Sequence, residues 1–293
     1  MKHLNEKTKI LTESYSDLKR IEHIKNFKWI GYTEASNILK KLEELMLYPK
    51  SSRMPNLLIV GDSNNGKTAI LNKFDKLHEP YINEDTKKVI NEVLYIQAPP
   101  EPDEKRLYNS ILDKLYAPSK TTERIEQRQQ RVINLLKKLE TKILIIDEIH
   151  HVLAGQTTKQ RLFLNVIKYL SNELQIPIVC AGTREAFNAI QTDPQLANRF
   201  EPKVLPRWNN DIEFKRLLKS FETIMPLKNE SLLIENSMST KILAMSEGLI
   251  GEIKKIIELA AILAIESKIE KITPKILDSI DYIPPDKRKK MRF

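Results

Sequence analysis

The chain has 293 residues, enough for one large domain or two smaller ones whose core needs no covalent staple. A single cysteine, Cys180, excludes an internal disulfide; with no apolar h-region at the start and no apolar run long enough for a bilayer, a cytoplasmic protein without membrane association is expected. Lys and Arg total 48 against 39 Asp and Glu, a net charge of +9 that favours a polyanionic partner, nucleic acid first.

Residues 1–28 are mixed and charged, with a helix expected from Asp17. Trp29-Ile30-Gly31-Tyr32 is a short apolar hinge. Thr33 then caps a helix over 34–47 that carries Ile38, Leu42, Leu45 and Met46 on one side and ends at Pro49. Trp29, Ile30 and Tyr32 either close over an adenine ring or pack this helix as core residues; the sequence leaves both open.

Leu57-Leu58-Ile59-Val60 has no alternation, the pattern of a strand buried on both faces of a parallel sheet. Gly61-Asp62-Ser63-Asn64-Asn65-Gly66-Lys67-Thr68 follows, and Ala69-Ile70-Leu71-Asn72-Lys73-Phe74 opens a helix. The spacing is that of the P-loop, in the strand–loop–helix setting the motif requires. Backbone N–H groups and the positive end of the helix dipole capture a β-phosphate there. Gly61 and Gly66 allow angles and close approach that a Cβ would block. Lys67 neutralises the β- and γ-phosphates, and the Thr68 hydroxyl ligates Mg2+. Residues 61–69, through Ala69, are therefore the expected ATP contacts.

Residues 83–91 read as a polar loop, and Val93-Leu94-Tyr95-Ile96 as a second buried strand. Pro99-Pro100-Glu101-Pro102 forces a turn. Asp103 caps a helix to about 116, residues 118–122 form a loop, and a helix over 123–139 aligns Arg124, Arg128 and Arg131 in one basic stripe. Ile143-Leu144-Ile145-Ile146 ends in Asp147 and Glu148. Asp147 stands where α/β sheets bind ligands and would hold Mg2+ through water. Glu148 would orient and deprotonate the attacking water, which suits hydrolysis better than passive storage of nucleotide. His150 and His151 read as neighbours of this site rather than metal ligands, since no cysteine or further histidine accompanies them.

A helix is expected over 160–174 and a strand over 176–183 that ends in Thr183. That hydroxyl either bonds the γ-phosphate or its water, or caps the helix over 184–190. After Asp193-Pro194 a short helix leads to Asn198-Arg199-Phe200, and residues 203–205 form a last short strand. From Trp208 onward the pattern is helical only, with helices over 211–224, 238–245, 251–267 and 274–281; the tail over 284–293 reads as disordered in isolation, with five basic residues that either suit phosphate or partner contact or are simply solvated. The division is thus 1–50 as an N-terminal helical segment, 51–206 as the core, 207–283 as a helical lid and 284–293 as the tail.

This order of elements resembles the AAA+ P-loop ATPase plan. The resemblance implies an α/β fold with a five-stranded parallel sheet in the order 5-1-4-3-2 and a small C-terminal helical lid. It implies ATP bound between neighbouring subunits, with Arg199 reaching the γ-phosphate of the adjacent copy. In that plan the lid carries an arginine that senses ATP. The stretch Gly248-Leu249-Ile250-Gly251-Glu252-Ile253-Lys254-Lys255 offers lysines only, and Gly251 is counted among the nucleotide contacts.

A closer resemblance lies in Trp29-Ile30-Gly31-Tyr32, the run Arg53–Thr68, Ile145-Ile146-Asp147-Glu148-Ile149-His150 and Cys180-Ala181-Gly182-Thr183-Arg184-Glu185-Ala186. Together these resemble the TniB family of transposon ATPase subunits, relatives of TnsC and MuB, over about residues 15–270. The resemblance implies ATP-dependent assembly on double-stranded DNA as a ring or helical filament. It also implies recruitment of a TniA-like DDE transposase, often a TniQ-like adaptor, and disassembly on hydrolysis. The places of DNA-facing loops in such relatives fall on Lys105, Arg106, Lys120, Thr121 and Thr122, residue types that fix register on phosphates without reading sequence. No base-reading module is evident. The alternatives are a helicase loader or replication-initiator relative, which would differ in DNA preference, and a nucleotide-switched module that never turns over, against which Glu148 argues.

Overall fold

The computed structural model describes residues 1–26, 29–117, 122–153, 157–192 and 194–290. Its elements in chain order begin with α1 (Glu6–Ser14), α2 (Asp17–Lys25), α3 (Thr33–Met46), β1 (Asn56–Val60) and α4 (Lys67–Leu77). A hairpin of β2 (Tyr81–Ile82) and β3 (Val89–Ile90) precedes β4 (Val93–Gln97), α5 (Glu104–Lys114), α6 (Ile125–Lys138) and β5 (Ile143–Asp147). Then come α7 (His150–Leu153), α8 (Thr157–Leu174), β6 (Ile178–Gly182), α9 (Arg184–Gln191), α10 (Pro194–Ala197) and β7 (Phe200–Val204). The rest is helical: α11 (Ile212–Ile224), α12 (Asn236–Ser246), α13 (Ile250–Glu266), α14 (Pro274–Ser279) and α15 (Pro285–Lys290). These elements fall into two compact units, one of residues 34–63 and 67–205, the other of residues 1–33, 64–66 and 206–293.

In the sheet-bearing unit the strands lie in the order β4-β5-β6-β1-β7, and all four pairings are parallel. Numbered along the chain, these five strands read 5-1-4-3-2, the order that the family resemblance implied. Every residue of β1, β5 and β6 is buried, the consequence of apolar runs without alternation in a sheet covered on both faces. Asn56 pins one end of β1: its side-chain oxygen accepts from the Ile178 amide at 2.8 Å and from the Ser171 hydroxyl at 3.3 Å. Helices α5, α6, α8 and α9 contribute Leu107, Leu136, Phe163 and Ile190 to one continuous core against the strands. Asp103 caps α5 as its position suggested, accepting from the Arg106 amide at 2.7 Å.

Three expectations for this unit need correction. The polar loop over 83–91 contains half of an antiparallel hairpin, because Val89 and Ile90 pair with Ile82 and Tyr81 while Asn83 turns the chain between them. The last strand is longer than 203–205, since Phe200–Glu201–Pro202 already pair with β1. Arg124, Arg128 and Arg131 do not form a stripe facing solvent. Arg128 is buried, donates to Asn109 at 2.5 Å and lies 3.8 Å from Glu123, which Arg131 also pairs at 3.2 Å. Helical spacing aligned the three residues, but the side α6 turns inward carries one of them.

The helical unit has its own core, built from Ile24, Phe214, Leu218, Ile242, Ile257 and Ala260 with their neighbours. Its N-terminal part adds α1, absent from the sequence reading and capped by Asn5, whose side chain accepts from the Thr8 amide. In α2 the buried Arg20 makes two bonds to Glu270, at 2.6 and 2.9 Å, and others to Asp17 at 2.7 Å and the Pro226 carbonyl at 2.9 Å. A guanidinium with this many acceptors keeps its charge despite burial. Pro274 opens α14 directly after its Thr273 cap. The expected disorder of the tail needs correction: residues 285–290 form a helix, and Arg288 is bonded within the unit.

Candidate functional site: a phosphate-binding loop

The loop between β1 and α4 is shaped by two positive-φ residues, Asn64 at +62° and Gly66 at +87°. A Cβ on Gly66 would meet Ile250 at 3.1 Å in addition to the backbone strain, so glycine is required there. The Gly61 amide donates to the Gly182 carbonyl of β6 at 3.2 Å, which ties the loop's start to the neighbouring strand. Lys67 is only 5% exposed, and its ammonium donates to the carbonyls of Gly61 and Asp62, each at 2.9 Å. Burial pushes the Lys67 ammonium below its usual value, and the charges of Glu148, Asp147 and Asp62 pull the other way. Such a lysine is desolvated and already aimed along the loop, the condition under which it interacts most strongly with phosphate.

Asp147, fully buried at the end of β5, accepts on one oxygen from Thr68 at 2.7 Å and Tyr95 at 2.9 Å. Its other oxygen accepts from the Glu148 amide at 2.8 Å. A threonine hydroxyl against a buried, oriented carboxylate is an all-oxygen donor set that suits Mg2+. Tyr95, on β4, was not singled out in the sequence; its hydroxyl fixes the carboxylate, and burial with the adjacent Asp147 charge raises its pKa well above 10.

Glu148 adopts φ +56°, an uncommon conformation for a non-glycine residue and one found at functional turns. Its carboxylate is partly exposed and lies 3.3 Å from His150 Nε2. Glu148, His150 and His151 bring ligand atoms within 4.8 Å of one another. Burial lowers the His150 pKa, with Glu148 opposing. Thr183 caps α9 by position without a capping bond, and its hydroxyl bonds Glu185. It follows Gly182, the register partner of Val60, and so stands beside the start of the loop.

Arg199 lies elsewhere. It immediately precedes β7, and its carbonyl accepts from the Asn56 amide at the start of β1, so it sits at the opposite end of the strands from Gly61. Its guanidinium donates to Asn172 at 2.7 Å. A surface cavity of about 350 Å³ is lined by Arg199, Arg53, Asn56 and Asn198. Partial burial and the nearby Arg53 charge both lower the Arg199 pKa. Arg53 was not a sequence candidate, since nothing local marks a lone arginine before a strand.

Of the adenine candidates, Tyr32 stacks edge-on against Trp208 at 5.1 Å, and its hydroxyl lies 3.6 Å from where a Gly66 Cβ would stand. Ile30 packs against the helical unit's core, and Trp29 is half-buried beside Gly31. Gly251 donates its amide to the Asn64 carbonyl at 3.0 Å. Among the DNA candidates, Lys105 and Arg106 are exposed on the first turn of α5, Arg106 lying 3.7 Å from Glu101, and Thr122 is exposed. Lys120 and Thr121 lie outside the described residues. Among the described residues no helix is long and apolar enough to cross a membrane.

A family model described as "Bacterial TniB protein" matches residues 20–210. The Aquifex aeolicus chaperone protein ClpB is 29% identical over 149 residues, half of this chain; the chain spans only 13% of that curated relative's length. Several solved structures share the fold at low identity. The Aeropyrum pernix ORC1 protein in complex with DNA gives a TM-score of 0.62 at 15% identity, covering 89% of this chain and 68% of that one. The Aeropyrum pernix ORC2 protein (ADPNP-ADP complexes) gives 0.64 at 12%, covering 92% and 74%. Cdc6p from Pyrobaculum aerophilum gives 0.61 at 13%, again covering 92% and 74%.

Proposed function

This chain belongs to the TniB family and is an AAA+ ATPase, and from that premise we propose that it is an ATP-dependent, DNA-binding regulator of transposition. It assembles on duplex target DNA, recruits a DDE transposase, with a TniQ-like adaptor where one exists, and is released when ATP is hydrolysed. The observation that carries this reading is the separation of Arg199 from the phosphate loop by the length of β1. An arginine in that place cannot serve its own loop, and it supports a site completed by a neighbouring copy.

In this reading the amides of residues 61–66 and the start of α4 bind the phosphates. Lys67 leaves the Gly61 and Asp62 carbonyls for the phosphate oxygens. Thr68 and Asp147 would hold Mg2+, which supplies neutralisation of charge on the β- and γ-phosphates. Glu148 accepts the proton of the attacking water, and Thr183 orients that water or the phosphate. Arg199 of the adjoining copy meets charge developing in the transition state. Tyr32, with Trp29 and Ile30 beside it, borders the base. Lys105, Arg106 and Thr122 face the DNA backbone, and the net charge of +9 supports a polyanionic partner.

The test is assembly. Purified protein with duplex DNA, ATP and Mg2+ is expected to form rings or filaments in electron micrographs, and Lys67→Ala to abolish them. Phosphate release should accompany assembly. Affinity should fall with salt at a log–log slope of about −0.9 per neutralised phosphate. Protein that stays monomeric and ignores duplex DNA refutes the proposal. A preference for single strands points instead to a helicase loader.

A further inference from the structure

Glu252, in the first turn of α13, is 4% exposed, and three side chains from distant parts of the chain converge on it. Asn64 donates to one carboxylate oxygen at 3.1 Å. The other oxygen accepts from Tyr282 at 2.7 Å and from the tail residue Arg288 at 2.5 Å. Arg288 is steadied in turn: its Nε donates to the Ile283 carbonyl at 2.8 Å, and its guanidinium lies 5.8 Å from the centre of the Tyr282 ring. Burial alone would raise the Glu252 carboxyl, but the bonds from Tyr282 and Arg288 overcome it and hold the group below its ordinary value. All of these residues belong to the helical unit, which includes Asn64–Gly66.

Asn64 is the tip of the phosphate loop and is held twice by the same helical turn. Its carbonyl accepts from the Gly251 amide at 3.0 Å while its side chain reaches Glu252. The fit leaves no slack, since a Cβ on Gly251 would come within 1.9 Å of the Asn64 side-chain oxygen. The two lysines beside the place of the missing lid arginine are engaged elsewhere: Lys254 pairs with Glu258 at 3.0 Å, and Lys255 lies 5.9 Å from the Tyr282 ring.

We propose that Arg288 is a positioning residue for the nucleotide site, acting through Glu252 to hold Asn64 and hence the tip of the phosphate loop. The inference rests on the ATPase reading. A buried carboxylate with its guanidinium partner removed must find other donors or become protonated, and either outcome alters what it offers Asn64. The basic tail thus performs structurally what an arginine within the lid helix does not supply, without itself touching phosphate.

The experiment measures affinity for a fluorescent ATP analogue and steady-state turnover in the full chain. Arg288→Ala is expected to weaken nucleotide binding by about tenfold or more, the scale of one hydrogen bond to a charged group, with a smaller effect on kcat. Arg288→Lys should recover part of the loss. In a Glu252→Gln background Arg288→Ala should add nothing, because the charge it answers is already gone. Lys287→Ala, which removes a neighbouring tail charge, should behave as wild type. Arg288 is partly exposed, so its loss leaves the fold intact, which circular dichroism checks. If Arg288→Ala lowers the melting temperature while affinity and turnover stay at wild-type values, the tail is only a brace and the proposal is overturned. If wild type binds no more nucleotide than Lys67→Ala, the ATPase reading fails first and this inference with it.

Discussion

Replacing Arg199 by alanine tests whether the nucleotide site is shared. β7 runs in register with β1, Phe200 opposite Asn56 and Val204 opposite Val60, so the strand separates Arg199 from Gly61. Six steps along the strand at about 3.3 Å each place the two about 20 Å apart, further than a side chain extends. Arg199→Ala should therefore leave ATP binding by the isolated chain unchanged while lowering turnover in the assembled form by about 10³-fold or more. Glu148→Gln should also bind ATP and fail to turn over, for a different reason. Mixing the two restores some sites, those in which an Arg199→Ala copy supplies the loop and a Glu148→Gln copy supplies the arginine. With random mixing at equal amounts, about one interface in four is competent, and phosphate release should rise to about a quarter of the wild-type rate. The assay is phosphate release across a mixing series on duplex DNA, with assembly confirmed by light scattering. Near-wild-type turnover by Arg199→Ala alone, or a mixture no faster than its parts while assembly is intact, refutes the shared site.

Three further outcomes follow from side-chain geometry. Tyr95→Phe removes a donor from Asp147 while keeping the ring, so the Mg2+ concentration for half-maximal ATPase should rise about tenfold, with the melting temperature nearly unchanged. Arg20→Ala leaves Glu270 buried without its guanidinium, and urea unfolding should show a loss of about 3–5 kcal/mol; a loss below about 1 kcal/mol would mean the pair behaves as a surface contact. Asp17 is held at about 2 by Lys268 and Arg20, against a usual 3.8. An acid with a lowered folded-state pKa adds stability above its unfolded value and loses it as pH falls, so the gap between wild type and Asp17→Asn should be full at neutral pH and close between about 3.8 and about 2.

Much of the fold is legible in one dimension because buried parallel strands need apolar runs and the P-loop needs its glycines. Leu57–Val60 and Ile143–Ile146 could hardly be anything else. Lys67, Thr68 and Asp147 do come together in the structure, as their motifs require. The contributions of Tyr95, Glu252 and Arg288 are not legible, because each depends on a contact between residues 30 or more apart in the chain, and tyrosine, glutamate and arginine at such places are ordinary. The basic tail shows the limit most clearly: composition suggested a tail disordered in isolation, whereas Tyr282 and the buried Glu252 give Arg288 a fixed place. Helical spacing misled at Arg128 for the related reason that periodicity aligns residues without saying which side of the helix meets the core.

The loop and Arg199 occupy opposite ends of the same strands, so in the assembly proposed above each copy would have a receiving end and a giving end on different surfaces. Stacked copies then share one polarity, as bricks laid head to tail do. An open stack of that kind would finish with one member whose ATP has no arginine to meet it, and that terminal nucleotide would outlast the others. Such an end would mark where the assembly stops and persist as the slowest part to come off the DNA.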